Sequence, residues 1–113
     1  MIQPTPGNGA RVWPVDAAES FEALAAGQLA VPDVTRRLMF GRDTLLAGGH
    51  PFAFRDGERV AVKLPTAGEL VAAGEGLAPR MGSRVMRRWV SLPLEVSEEL
   101  SARMTAAREH VTR

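Results

Sequence analysis

The sequence contains no cysteine and no tyrosine, a single lysine, only four phenylalanines and two tryptophans, and almost no surplus charge. Without cysteine there is no disulfide framework, thiolate nucleophile, zinc-thiolate site or iron-sulfur cluster. No stretch reaches the ~20 consecutive apolar residues that cross a bilayer. The opening Met1-Ile2-Gln3-Pro4 lacks the basic flank and apolar block of a signal peptide, so no membrane partner and a cytoplasmic location are expected. Fourteen basic against thirteen acidic side chains leave a formal charge of +1, too little for a general affinity for nucleic acid or anionic lipid.

What the chain does have is enough apolar material for one core. Of 113 residues, 45% are apolar and 24% charged, the profile of one globular domain. Pro4, Pro6, Gly7, Gly9 and Pro14 mark residues 1–14 as an irregular N-terminal segment, and residues 15–113 are read as the domain. Asp16 and Glu19 have capping-box spacing ahead of Phe21, Leu24, Ala25 and Leu29, which predicts a helix that Pro32 ends. Four short β-type runs follow, over 34–40, 44–47, 52–55 and 59–64. They are separated by Gly41-Arg42-Asp43, Gly48-Gly49 and Asp56-Gly57, the last having the composition of a two-residue hairpin loop. Thr66 and Glu69 open a short helix closed by Gly74; 85–92 reads as another strand; and Val96, Leu100, Met104, Ala107 and Val111 form the apolar stripe of a final helix behind Ser97 as N-cap. The order α-β-β-β-β-α-β-α predicts an α+β domain, a single mainly antiparallel sheet packed by helices. Phe40, Phe52, Val62, Leu100 and Met104 are the expected core, with Phe52 and Phe54 on one face.

Catalytic chemistry finds little material. His50 stands in an expected turn and His110 near a helix end, where dipole and carbonyls explain it. Gly7-x-Gly9 and Gly74-x-Gly76 lack the third glycine of a dinucleotide loop, and Lys63 follows no glycine, so neither a Rossmann nor a Walker A element is present. There is no H-E-x-x-H, no G-x-S-x-G and no dense carboxylate loop. No catalytic residue, cofactor or metal is expected.

Arginine clustering is the remaining feature. Thirteen of the fourteen basic residues are arginine. Arg80, Arg84, Arg87 and Arg88 fall in an acid-free window around Trp89, and Arg36, Arg37 and Arg42 form a second group. A tryptophan between arginines can stack on a base or hold a partner's side chain. The alternative is that a helix covers Trp89 as ordinary core while the arginines extend to solvent.

Arg37-Leu38-Met39-Phe40-Gly41, then Gly48-Gly49 and Pro51-Phe52-Ala53, then Val62-Lys63-Leu64, and later Met86 through Pro93 make an ordered series over about residues 20 to 110. Together they resemble the N-terminal domain of the TfoX/Sxy family. Two-domain members of that family are associated with regulation of natural competence and carry a further C-terminal domain. The chain departs from the pattern over Gly76 to Met81, where an aromatic pair is usual, and at Trp89-Val90, where only one ring stands. The resemblance implies an α+β domain, no catalytic residue and a regulatory or DNA-associated setting. The resulting expectation is a non-enzymatic regulatory or interaction domain with a protein partner or a weak nucleic-acid association. The eight residues of its candidate surface are Arg36, Arg37, Arg42, Arg80, Arg84, Arg87, Arg88 and Trp89. A dimeric protein-interaction or chaperone-like module, and hence a homodimer, is the alternative; an enzyme with a small-molecule pocket is the third.

Overall fold

The computed structural model describes residues 16–113, and the irregular segment expected over 1–14 lies outside them. Helix α1 spans Ala17–Leu29, with the Asp16 carboxylate accepting the Glu19 N–H at 2.8 Å as the capping spacing requires. Strands β1 (Val34–Met39), β2 (Arg42–Ala47), β3 (His50–Asp56) and β4 (Arg59–Lys63) then form an antiparallel meander. Helix α2 (Ala67–Ala72) is short; Thr66 stands at its N-cap without a side-chain hydrogen bond. Strands β5 (Arg80–Met81) and β6 (Arg84–Val85) make a small hairpin, β7 (Trp89–Pro93) returns to the sheet beside β4, and helix α3 (Glu98–Val111) closes the chain. The five-stranded sheet has the order β1-β2-β3-β4-β7. The α+β order expected from the sequence is therefore the observed one, with β5 and β6 as an added hairpin. The strand expected over 85–92 is divided: Arg84–Val85 belongs to that hairpin, and the sheet strand begins only at Trp89.

Helices α1 and α3 pack on one face of the sheet because that face collects the apolar residues of every strand. Phe21, Phe52, Val62 and Met104 are all 1% exposed or less, and Leu100 is 4% exposed. Each such side chain contributes about 1.5–3 kcal/mol by leaving water. Gln28, 3% exposed, ties the helices together: its Nε2 donates to Thr105 Oγ1 at 3.1 Å, and its Oε1 accepts from Arg108 Nη1 at 2.7 Å.

Two expectations fail on this face. Phe40 is 78% exposed and not core. Phe52 and Phe54 do not share a side either. The β2–β3 pairing shifts between Leu45 and Leu46, so Phe52 is an extra, unpaired residue of a bulge. The bulge sends Phe52 into the helix-side core, while Phe54 goes to the opposite, back face and packs on Trp89.

Turn chemistry explains the Phe40 result. Met39 pairs with Arg42 and Ala47 with His50, so Phe40-Gly41 and Gly48-Gly49 are both two-residue hairpin loops. All four residues have positive φ: +53, +76, +57 and +84. Positive φ at both central positions is the requirement of a type I′ turn. In the next hairpin the loop is Gly57-Glu58, one residue later than the Asp56-Gly57 pair suggested, with Asp56 paired to Arg59.

Candidate binding face on the back of the sheet

Among the described residues, no long helix lies over the back face. Part of it is covered by the segment between α2 and β7. Gly76 lets this segment run close along the outer edge of β7: a Cβ there would meet Val90 Cγ2 at 2.4 Å and the Ser91 carbonyl at 2.9 Å. Leu77 then bonds the outer edge of β7, its N–H to the Ser91 carbonyl at 2.9 Å and its carbonyl from the Ser91 N–H at 2.7 Å. Arg59 crosses from β4 and donates to Ser91 Oγ at 2.9 Å and to the Ser91 carbonyl at 2.8 Å.

Beyond this cover lies an apolar groove of about 160 Å³ lined by Met39, Phe40, Arg42, Thr44, Pro51, Phe54, Met81, Met86 and Trp89. Its base is the Phe54–Trp89 pair, with ring centroids 5.0 Å apart and planes tilted by 51°. Such a pair contributes about 0.5–1.5 kcal/mol beyond the area it buries. Trp89 is thus held by a strand aromatic under the β5–β6 hairpin, and not under a helix. Arg42 lies over the same ring, its guanidinium carbon 4.8 Å from the Phe54 centroid. Its Nη2 donates to the Arg80 carbonyl at 2.9 Å, which fastens the hairpin to β2. Its Nη1 is buried without an oxygen acceptor, leaving the Phe54 face as its neighbour.

Met81, Met86 and Trp89 also line a second, wider groove of about 470 Å³, whose other walls are Lys63, Arg84, Val85, Arg87 and Arg88. No acidic side chain lines it. The apolar and basic grooves therefore run into one another. Arg80 faces a third groove of about 350 Å³ with Arg42, Asp56 and Arg59, and its Nη1 donates to the Ser83 carbonyl at 3.2 Å.

The eight residues singled out in the sequence thus divide. Arg84, Arg87, Arg88 and Trp89 come together, and Arg42 and Arg80 adjoin them. Arg37 is exposed on β1 but lines neither groove. Arg36 is on the helix side. Its Nε donates to Asp43 Oδ1 at 2.8 Å, its Nη1 to Glu22 Oε1 at 3.0 Å, and its Nη2 to the second oxygen of each carboxylate. The guanidinium carbon also lies 5.5 Å from the Phe21 centroid. Hydrogen bonds from Arg36 hold the carboxyls of both Glu22 and Asp43 below the ordinary carboxylate range, and Arg36 itself is pushed up by the same bonds, that to Asp43 first. This triad fastens α1 to the first hairpin and engages four of the five N–H donors of Arg36. The sequence reading did not find the groove-lining residues Met39, Phe54, Met81 and Met86. Alternation along β1 places Met39 opposite Leu38, but nothing local reveals which strands its face meets.

A separate cleft of about 110 Å³ near the start of α3 holds Glu75, Glu95 and Glu99, with Arg103 bridging Glu75 at 3.4 Å and Glu99 at 3.3 Å. Among the described residues, no group of three or more histidine, aspartate or glutamate side chains is placed to hold a metal ion. No helix among them is long and apolar enough to cross a membrane. The chain matches no protein-family model, no curated protein and no solved structure, so the TfoX/Sxy resemblance rests on the quoted residues alone.

Proposed function

We propose that the chain is a non-enzymatic interaction domain that receives an anionic macromolecule on the back of its sheet, in a regulatory setting of the TfoX/Sxy kind. The carrying observation is the continuity of the apolar groove with the acid-free groove of Lys63, Arg84, Arg87 and Arg88 through Met81, Met86 and Trp89. A surface of this composition offers a dry contact beside positive charge, which suits binding and supplies no nucleophile. Two further placements support the non-enzymatic reading. His50 begins β3 and His110 lies near the end of α3, and neither lines either groove. The carboxylates of lowered pKa, Glu22 and Asp43, are both held by Arg36 on the other face.

The test is a titration with polyanions at low salt, using duplex DNA, single-stranded DNA and an acidic polypeptide. Affinity for at least one is expected to fall as salt rises, by a log-log slope of about 0.9 per neutralised phosphate where duplex DNA is the ligand. The double variant Arg87→Glu, Arg88→Glu is expected to weaken that binding with little change in stability, since both side chains are exposed. Absence of binding to all three polymers, or equal binding by the double variant, contradicts the proposal.

A further inference from the structure

Resting on that reading, we infer that the anionic partner is a protein, and that the groove seats one bulky apolar side chain of an acidic peptide segment, with the Phe40 ring as its lip. Size is the first argument. At about 160 Å³ the apolar groove is close to the ~150 Å³ cavity that accepts a single benzene ring, so its apolar part has room for one side chain. Its sulfur-bearing walls, Met39, Met81 and Met86, are unbranched and can repack around aromatic or aliphatic shapes.

The polar inventory decides against a nucleobase. Among the described lining residues the only charged group, Arg42, already gives Nη2 to the Arg80 carbonyl and stacks on Phe54, its Nη1 is covered, and the Thr44 hydroxyl donates to the Arg42 carbonyl. A base buried in the groove finds few partners for its edge donors and acceptors, and each one left unpaired weakens binding by about tenfold. Trp89 offers no open stacking face, being half-buried and packed on Phe54. An apolar side chain needs no such partners.

Phe40 is the independent observation. The chain builds two hairpin loops with positive φ at both central positions, and fills one with Gly48-Gly49 but the other with Phe40-Gly41. Left-handed backbone is unfavourable for a bulky L-residue, and the Phe40 ring recovers little by burial at 78% exposure. A strained, exposed aromatic at the mouth of an apolar groove is surface held ready for a contact that the described residues do not make. Charge completes the match, because Lys63, Arg84, Arg87 and Arg88 continue the groove without an intervening acid. Aspartate or glutamate beside the anchor would meet them.

Fluorescence anisotropy with three labelled probes tests this: a glutamate-rich peptide with one phenylalanine, the same peptide with alanine there, and oligo-dT of equal charge. Wild-type protein is expected to bind the phenylalanine peptide about tenfold more tightly than the alanine peptide, the return for partly burying one ring. Phe40→Asn is expected to fold with an unchanged or higher Tm and to lose that preference. Arg87→Glu with Arg88→Glu is expected to weaken both peptides alike. Equal binding of the two peptides, or a preference that survives in Phe40→Asn, overturns the inference while leaving the anion-binding proposal standing. Oligo-dT binding that Phe40→Asn weakens assigns the groove to nucleic acid and overturns it too. Failure of all three probes overturns the inference, and with failure of duplex DNA as well it refutes the broader proposal.

Discussion

Replacing Phe40 with asparagine separates what this residue does for the fold from what it does for a partner. Phe40 sits at φ +53 in a two-residue loop with Gly41 at +76. Left-handed backbone costs an ordinary L-residue about 1–2 kcal/mol, and asparagine tolerates it far better. Against that gain stands the burial lost. With 78% of the residue exposed, roughly a fifth of the 1.5–3 kcal/mol of a fully buried phenylalanine is at stake, about 0.3–0.6 kcal/mol. Phe40→Asn is therefore expected to stabilise the domain by about 0.5–1.5 kcal/mol, an increase in Tm of roughly 2–10 °C for a domain of this size. Asn-Gly is also the preferred pair for such a turn. Phe40→Gly relieves the same strain but enlarges the entropy of the unfolded chain by about 0.5–1 kcal/mol, and should lie close to wild type. The converse experiment is Gly48→Phe, at φ +57 with open space around its would-be Cβ, which should cost about 1–2 kcal/mol. Urea and thermal denaturation read all three. A loss of more than about 1 kcal/mol in Phe40→Asn would mean that the ring packs within the domain, and would refute the reasoning.

Phe52→Ala should cost about 3–5 kcal/mol, since the residue is wholly buried in a bulge that leaves little room for collapse; an unchanged denaturation midpoint contradicts its place in the core. The Arg36 triad should make stability fall in acid. Glu22 and Asp43 have folded pKa values below their unfolded ones, so the triad's contribution is complete above the unfolded values near 4 and disappears as pH falls through the lowered ones. The stability difference between wild type and Arg36→Met should accordingly shrink between about pH 5 and pH 2, and a difference constant over that range argues against the triad. Arg42→Ala should release the β5–β6 hairpin by removing the bond to the Arg80 carbonyl, seen as faster amide exchange at Met86, whose N–H donates to the Pro79 carbonyl at 2.9 Å, with slower-exchanging core strands unaffected; unchanged exchange there shows that the bond does not hold the hairpin.

Local signals carried most of the architecture. Asp16 and Ser97 cap the helices that their spacing indicated, Gly48-Gly49 turns the chain where expected, and the stripe from Leu100 to Ala107 faces the sheet, whereas Val96, expected at its head, precedes the cap and is exposed. What escaped depends on pairing between distant segments. The bulge at Phe52 breaks the two-residue period, so alternation assigned Phe54 to the wrong face. Phe40 looked like core because a hydrophobic residue at a strand end usually is; only its backbone angle and the turn register place it outside. The arginines are chemically identical in sequence, yet Arg36 finds Asp43 and Glu22, Arg42 finds Phe54 and Arg80, and Arg87 and Arg88 remain exposed. Which arginine is structural is decided by tertiary neighbours, and the candidate surface contracts accordingly.

The central claim is that partners meet the back of the sheet. Amide chemical-shift mapping of isotope-labelled protein during titration with the glutamate-rich phenylalanine peptide tests it most directly. The account predicts shifts concentrated at Phe40, Phe54, Met81, Met86, Arg87 and Trp89, with α1 and α3 silent. Shifts centred on the helices, around Glu22 or Arg103, would contradict it.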